Sequence, residues 1–172
     1  MRRELIAAAL ALSAGAAQAD GCTLVFGQGR NATLLGGPNW DELNSRFNGA
    51  VAGALEADGR HALPTTASSQ QIDPQATGRK LLEQADRAGC RTLVETTVFT
   101  EAEMLVLRLR VYPLLPQLGD GGAVAGLRIG APLFVTQRDL PPAALLRLKP
   151  DELAAQMAAE YLQHDIQHER RR

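Results

Sequence analysis

The sequence has little excess charge, few aromatic residues and only two cysteines. Its 18 basic and 19 acidic side chains give a formal net charge of -1 at pH 7. This balance argues against binding to nucleic acid or to an anionic membrane through a global positive field. Aromatic residues make up only 4% of the chain, but the hydrophobic fraction of 45% is ordinary for a globular domain and excludes a wholly disordered chain. The length of 172 residues predicts a single domain.

Beyond its first 19 residues the sequence has no apolar run long enough to cross a membrane. Residues 1–19 have the order of a secretory signal peptide. Arg2 and Arg3 form a basic start, residues 5–12 are apolar, and a small-x-small motif ends at Ala19. We therefore expect cleavage after Ala19, a periplasmic location and no transmembrane segment in the mature chain.

The two cysteines of the mature chain, Cys22 and Cys90, predict one disulfide, because an even pair in an oxidising compartment pairs by default. The bond would close a loop of about 70 residues, which the chain-entropy model values at roughly 4 kcal/mol. Three alternatives stay open: two separate buried thiols, a redox pair, and lipid attachment at Cys22. The absence of a C-x-x-C motif argues against the redox pair, and Asp20 argues against a lipoprotein signal.

Three segments have the start signals and the apolar spacing of amphipathic helices. The first follows Asn39, the second follows Asp73 and ends at Gly89, and the third begins at Pro150. Asn and Asp are good N-caps, and proline is favoured in the first turn. The predicted buried stripes are Trp40, Leu43, Phe47, Val51 and Leu55 in the first helix, Leu81, Leu82, Ala85 and Ala88 in the second, and Leu153, Met157 and Tyr161 in the third.

The strand predictions depend on short apolar runs and on alternation. Residues 23–26 form a strand halted by glycines, and residues 61–63 form a short second strand before Pro64. Residues 127–137 form a late strand that Gly130 and Pro132 interrupt, which places it at an edge or a bulge.

Residues 90–99 and 104–111 predict a β-hairpin with a four-residue connection. In this register Phe99 pairs with Met104, and Glu95 lies opposite Arg108. Apolar rows and a charge pair then match across the two strands. Odd-numbered residues of the second strand share one face, namely Leu105, Leu107, Leu109 and Val111.

The element order is therefore β-α-β-α-β-β-β-α, which predicts an α/β domain of the α+β type with a mixed sheet. We place this single domain at residues 20–165, followed by a charged flexible tail over residues 166–172. The helices lie mainly on one face of the sheet. Cys22 and Cys90 come close if the first and third strands are parallel neighbours. The other face is partly open and carries Glu95, Thr97, Phe99, Val106, Arg108 and Arg110.

This order resembles the envelope domain at the amino terminus of TolB, a group that includes CsgG, the penicillin-binding-protein activator LpoB and the flagellar protein FlgT. The similarity lies in the strand at 23–26, the pattern Trp40-x-x-Leu43-x-x-x-Phe47, the segment 88–95 and the hairpin strand 104–111. It implies a mixed-sheet fold and a role in binding other envelope proteins, with no catalytic residues to carry over. The chain departs from the group in its long segment over residues 113–126 and in lacking a convincing lipid-attachment cysteine.

Motifs for chemistry are weak. The run from Gly27 to Ala32 matches G-x-G-x-x-A, but the next helix begins too late for its amino terminus to meet a pyrophosphate. His164 and His168 have the i, i+4 spacing of metal ligands without a third ligand nearby. There is no G-x-S-x-G elbow. We predict no catalytic, cofactor-binding or metal-binding residues.

The sequence thus favours a non-enzymatic periplasmic adaptor that binds another envelope protein. Its candidate partner surface is Glu95, Phe99, Val106, Arg108 and Arg110, because arginine and aromatic residues are favoured at interfaces. The competing interpretation is a solvated sheet face on which Glu95 neutralises one arginine. The alternative function is a small-ligand binder that uses the loops at residues 27–37 and 113–126.

Overall fold

A computed structural model describes residues 21–29, 39–68, 73–141, 143–144 and 149–170. The predicted signal peptide, residues 1–19, and the end of the predicted tail, residues 171–172, lie outside the described residues. The secondary structure consists of β1 (Thr23–Gly29), α1 (Trp40–Ala57), β2 (Ala62–Ala67), α2 (Pro74–Arg87), β3 (Thr92–Glu101), β4 (Met104–Leu118), a 3-10 turn (Asp120–Gly122), β5 (Val124–Ile129), β6 (Phe134–Leu140) and α3 (Pro150–Glu169).

The strands form one mixed sheet in the order β2-β1-β3-β4-β5, with β6 also paired to β4. β1 is parallel to both of its neighbours, and the pairs made by β4 are all antiparallel. This confirms the predicted α/β class and element order. The strand predicted over residues 127–137 is divided in two, because the chain leaves the ladder between Ile129 and Phe134. β4 is long enough to pair with both halves in succession.

The two faces of the sheet carry different helices. Val25 and Val94 face a core built with α1 and α3, whereas their neighbours Leu24 and Leu93 face a second core built with α2. Successive strand residues point to opposite faces, so α2 lies across the sheet from the other two helices. Two helices therefore share a face, as predicted, and the other face is covered at one end by α2 rather than left open.

The helices begin where their caps predict. The Asn39 side chain accepts a hydrogen bond from the Glu42 N–H at 3.2 Å, and the Asp73 side chain accepts one from Ala76 at 2.9 Å. Ala88 was predicted to belong to the buried stripe of α2. It is instead the exposed C-cap of that helix.

Four elements are longer than predicted, and one of them is β4, which was predicted to end at Val111 and continues to Leu118. β1 continues through both glycines to Gly29, and β2 passes Pro64 and ends at Ala67. Pro64 is tolerated there because β2 lies at an edge of the sheet. α3 continues to Glu169, past the boundary that we placed at residue 165.

The hairpin register differs from the prediction by two residues. Glu101 pairs with Met104, so the connection is the two-residue turn Ala102–Glu103, and Glu95 lies opposite Arg110 instead of Arg108. Both turn residues have positive φ, 47° and 65°, as a type I′ turn requires, and this turn matches the twist of the strands. A shift of two leaves every side chain on its predicted face.

The predicted disulfide between Cys22 and Cys90 is present. It joins the starting ends of β1 and β3, whose parallel register pairs Thr23 with Thr92. Both cysteines belong to the core beneath α2. The bond excludes separate thiols here, and the Cys22 sulfur is engaged by Cys90 rather than free for a lipid.

Candidate functional site

The residues of the predicted partner surface lie on one face of β3 and β4. Phe99 and Val106 are directly opposite each other in the ladder, and the Arg108 guanidinium lies 4.9 Å from the Phe99 ring centroid. These neighbours help to leave Phe99 only 9% exposed and Val106 only 2% exposed. The expectation that Phe99 faces solvent is therefore wrong, and so is the same expectation for Val106. The polar members of the set, Glu95, Arg108 and Arg110, are partly exposed.

Glu95 is the centre of a polar cluster on this face. Its Oε2 lies 2.7 Å from Arg110 Nη2 and accepts a hydrogen bond from the Tyr112 hydroxyl at 3.2 Å. The Arg110 guanidinium also lies 5.9 Å from the centroid of the Tyr112 ring. Glu95 therefore neutralises an arginine, as the competing interpretation expected, but the partner is Arg110. Continuing the alternation of β4 by one step would have added Tyr112 to the predicted set.

Arg108 has a different set of partners. It lies opposite Thr97 on β3 and opposite Gln137 on β6, and its Nε donates a hydrogen bond to Gln137 Oε1 at 2.7 Å. Arg108 thus links the predicted partner surface to β6. Arg110 lies opposite Val135 of β6, two residues further along β4.

Apolar side chains are exposed to solvent at the edge of the sheet formed by β5 and β6. Among the described residues both strands pair only with β4, so their outer backbone edge has no strand partner within that part of the chain. Leu133 is 55% exposed and Val135 is 53% exposed. Five of the six large hydrophobic residues exposed in the described part lie between residues 118 and 135. The interrupted strand predicted over residues 127–137 was placed at an edge or a bulge, and β5 and β6 do lie at the edge, but the exposure of its apolar side chains was not predicted.

A cavity of about 290 Å³ lies between α2 and the sheet, next to the polar cluster. Glu95 and Tyr112 contribute to its lining, together with Gln28 from β1. A second cavity of about 420 Å³ lies between α2 and β2, and both cavities are lined by Phe26 and Thr77. No local pattern in the sequence indicates either cavity, because the position of α2 on the sheet creates them.

The two segments predicted to bind a small ligand have different outcomes. Residues 30–38, most of the first loop, lie outside the described residues. Much of the second segment is not a loop, because β4 continues to Leu118 and β5 begins at Val124. The glycines of the first motif have a packing role: a Cβ on Gly27 would lie 2.9 Å from the Asn48 Cβ, so glycine allows α1 to approach β1.

Two asparagines of α1, Asn44 and Asn48, are buried. Asn48 donates hydrogen bonds to the Val25 carbonyl at 3.0 Å and to Thr96 Oγ1 at 3.1 Å. Asn44 is fully buried, and neither of its side-chain polar atoms has a hydrogen-bond partner among the residues that the structure describes. Neither residue was singled out from the sequence, because asparagine on a helix is ordinarily exposed.

The histidine rings near the end of α3 pack against one another in a tilted arrangement. The rings of His164 and His168 lie 4.5 Å apart, and the Phe134 ring lies 5.2 Å from His164. In the portion of the chain that the structure describes, no three His, Cys, Asp or Glu side chains form a group suited to a metal ion. The third histidine, His61, is exposed at the start of β2.

Arg60 joins the end of α1 to α3 through Asp165, at 2.8 Å from Nη2 to Oδ2. Burial alone lowers the pKa of this guanidinium, but the hydrogen bond with Asp165 and the nearby Tyr161, Asp165 and Asp58 raise the pKa above its ordinary value. The arrangement ties two helices together with a permanent positive charge.

The described helices include none with the length and hydrophobicity needed to cross a membrane. No protein-family model matches the chain, and no curated protein shows significant similarity to it.

Proposed function

We propose that the protein is an exported, non-enzymatic adaptor that binds another protein of the cell envelope through the outer edge of β5 and β6. The observation that carries this proposal is the solvent exposure of Val124 and Ile129 on β5, of Val135 on β6 and of Leu133 between the two strands. Sheet edges with exposed apolar side chains pair readily with other chains, and natural proteins usually protect such edges. An added strand would gain main-chain hydrogen bonds and apolar contacts at the same time.

The polar groups beside the edge extend this surface. Arg108 and Arg110 lie opposite Gln137 and Val135 of β6, so the arginines flank the backbone that a partner strand would contact. Apolar anchors beside arginines are typical of interfaces. The resemblance to the TolB amino-terminal group implies the same kind of role, and the disulfide is consistent with an oxidising compartment.

Site-specific photo-crosslinking in intact cells tests the proposal. A photoreactive amino acid at Val135 should give one discrete adduct with an envelope protein, whereas the same amino acid at the exposed Glu56 of α1 should give none. Leu133→Arg should abolish the adduct. Ile166→Arg is the matched control, because Ile166 is an exposed apolar residue that belongs to α3 and not to β5 or β6. Equal adducts at both positions, or an adduct that survives Leu133→Arg, would contradict the proposal.

A further inference from the structure

The cavity between α2 and the sheet is apolar along most of its wall. Phe26 and Leu93 line it from the sheet, Leu81 from α2, and Ile129 from β5. Its volume of about 290 Å³ is at the lower end of the range for small-molecule sites. A ligand that fills it would have an apolar body of roughly a dozen non-hydrogen atoms.

The polar end of the cavity has an acceptor that the protein leaves unused. Glu95 Oε2 is occupied by Arg110 and Tyr112, but Oε1 makes no hydrogen bond to any described residue. The Gln28 side chain, which also lines the cavity, makes no hydrogen bond within the same part of the chain. A group that donated to Oε1 would satisfy an oxygen of a carboxylate whose side chain is only 15% exposed, and hydrogen bonds to a charged acceptor are stronger than those between neutral groups.

We infer that this cavity binds a small amphiphile with an apolar body and a hydrogen-bond-donating head, either an alcohol or an amine. The head donates to Glu95 Oε1 and is within the part of the cavity lined by Gln28, while the body lies against Phe26, Leu81 and Leu93. A carboxylate head is disfavoured because it would face the carboxylate of Glu95. A carboxylate also has no proton to donate to Oε1, whereas an alcohol or an amine has one. The inference goes beyond the adaptor role and does not depend on it.

Three matched probes distinguish the head groups: 4-phenylbutan-1-ol, 4-phenylbutylamine and 4-phenylbutyrate. Binding to the purified, disulfide-bonded protein is measured by NMR titration. We expect the alcohol and the amine to bind with millimolar or tighter dissociation constants, and the carboxylate to bind at least about tenfold more weakly. Equal binding of all three probes, or no binding of the alcohol and amine, would overturn the inference.

Gly78 offers a variant that fills the cavity without a clash. It lines the cavity from α2, and a Cβ built there meets no atom within 4 Å. Gly78→Leu should therefore occupy the cavity while raising helix propensity, so the variant should fold. Gly53→Leu in α1 is the matched control, because Gly53 also has open space and lies outside the cavity.

The alcohol should bind Gly53→Leu like the wild type and should lose at least about tenfold in affinity for Gly78→Leu. Equal affinities for the two variants would overturn the inference. If Gly78→Leu failed to fold, the head-group comparison on the wild-type protein would still decide. Crosslinking at Val135 is a separate measurement, so failure of the ligand site and failure of the adaptor role are distinguishable.

Discussion

Glu95 on β3 lies directly opposite Arg110 on β4, with 2.7 Å between Oε2 and Nη2. Their side chains are 15% and 26% exposed, so solvent screens the pair less than it screens an ion pair on the surface. The Arg46–Asp151 pair, with side chains 49% and 46% exposed, is a natural comparison.

A double-mutant cycle should give the inner pair the larger coupling energy. With Glu95→Gln and Arg110→Gln we expect coupling of about 1–2 kcal/mol, against less than about 0.5 kcal/mol for the cycle at Arg46 and Asp151. Urea unfolding of the single and double variants measures both values. Equal coupling in the two cycles would show that burial does not strengthen the inner pair.

Removing the disulfide should destabilise the domain substantially. The Cys22→Ser, Cys90→Ser double variant should lose roughly 3–4 kcal/mol of unfolding free energy, because the bond restricts a loop of about 70 residues in the unfolded chain. Urea titration of the variant measures the loss. Wild-type protein titrated with reductant should reproduce most of it, and an unchanged midpoint under reduction would contradict the prediction.

The two buried asparagines of α1 should respond oppositely to the same substitution. Asn48→Leu should cost about 1–3 kcal/mol, because it leaves the Val25 carbonyl and Thr96 Oγ1 without their donor. Asn44→Leu should be neutral or stabilising, because it removes a buried amide that has no hydrogen-bond partner in the described part of the chain. Thermal unfolding of the two variants gives the comparison. A larger loss for Asn44→Leu than for Asn48→Leu would be inconsistent with this assignment.

The hairpin turn should be improved by residues that favour positive φ. The double substitution Ala102→Asn, Glu103→Gly should stabilise the protein by about 1 kcal/mol, because asparagine and glycine suit a type I′ turn. Differential scanning calorimetry measures the rise in Tm. Glu56→Gly, in the exposed face of α1, is the control and should destabilise by a similar amount. A lower Tm for the turn variant would instead favour the four-residue connection.

Gly27 should not tolerate even the methyl group of alanine. Gly27→Ala should cost about 1–3 kcal/mol, because the new Cβ lies 2.9 Å from the Asn48 Cβ and the helix must shift. Gly53→Ala, where a Cβ has open space, should instead stabilise by about 0.5–1 kcal/mol. Chemical unfolding of both variants tests whether the contact of α1 with β1 requires this glycine.

Local signals predicted much of the fold. Asn39 and Asp73 mark the helix starts because N-capping is decided within four residues of chain. The alternation of β4 assigned Leu105, Leu107 and Leu109 to the core face, since strand periodicity needs no knowledge of the partner strand. The disulfide was predictable from composition, because the predicted mature chain has only two cysteines.

Other features depended on contacts between distant residues. The hairpin register moved by two, because the tight turn at Ala102 and Glu103 was not evident from residues that rarely adopt positive φ. Alternation places a side chain on a face but does not say how much of that face is covered. Phe99 therefore lies on the predicted face and is nevertheless buried.

By itself the sequence determined the order of the elements and the residues at which the helices begin. It also determined which residues of the hairpin strands share a face and which two cysteines form the disulfide. These follow from short-range hydrogen bonding, from side-chain periodicity and from composition. Only the tertiary structure decided that α2 lies across the sheet from α1 and α3, that Glu95 pairs with Arg110, and that β5 and β6 form the outer edge. Those outcomes depend on which surfaces pack together, and the free energy of packing is shared among residues far apart in the chain.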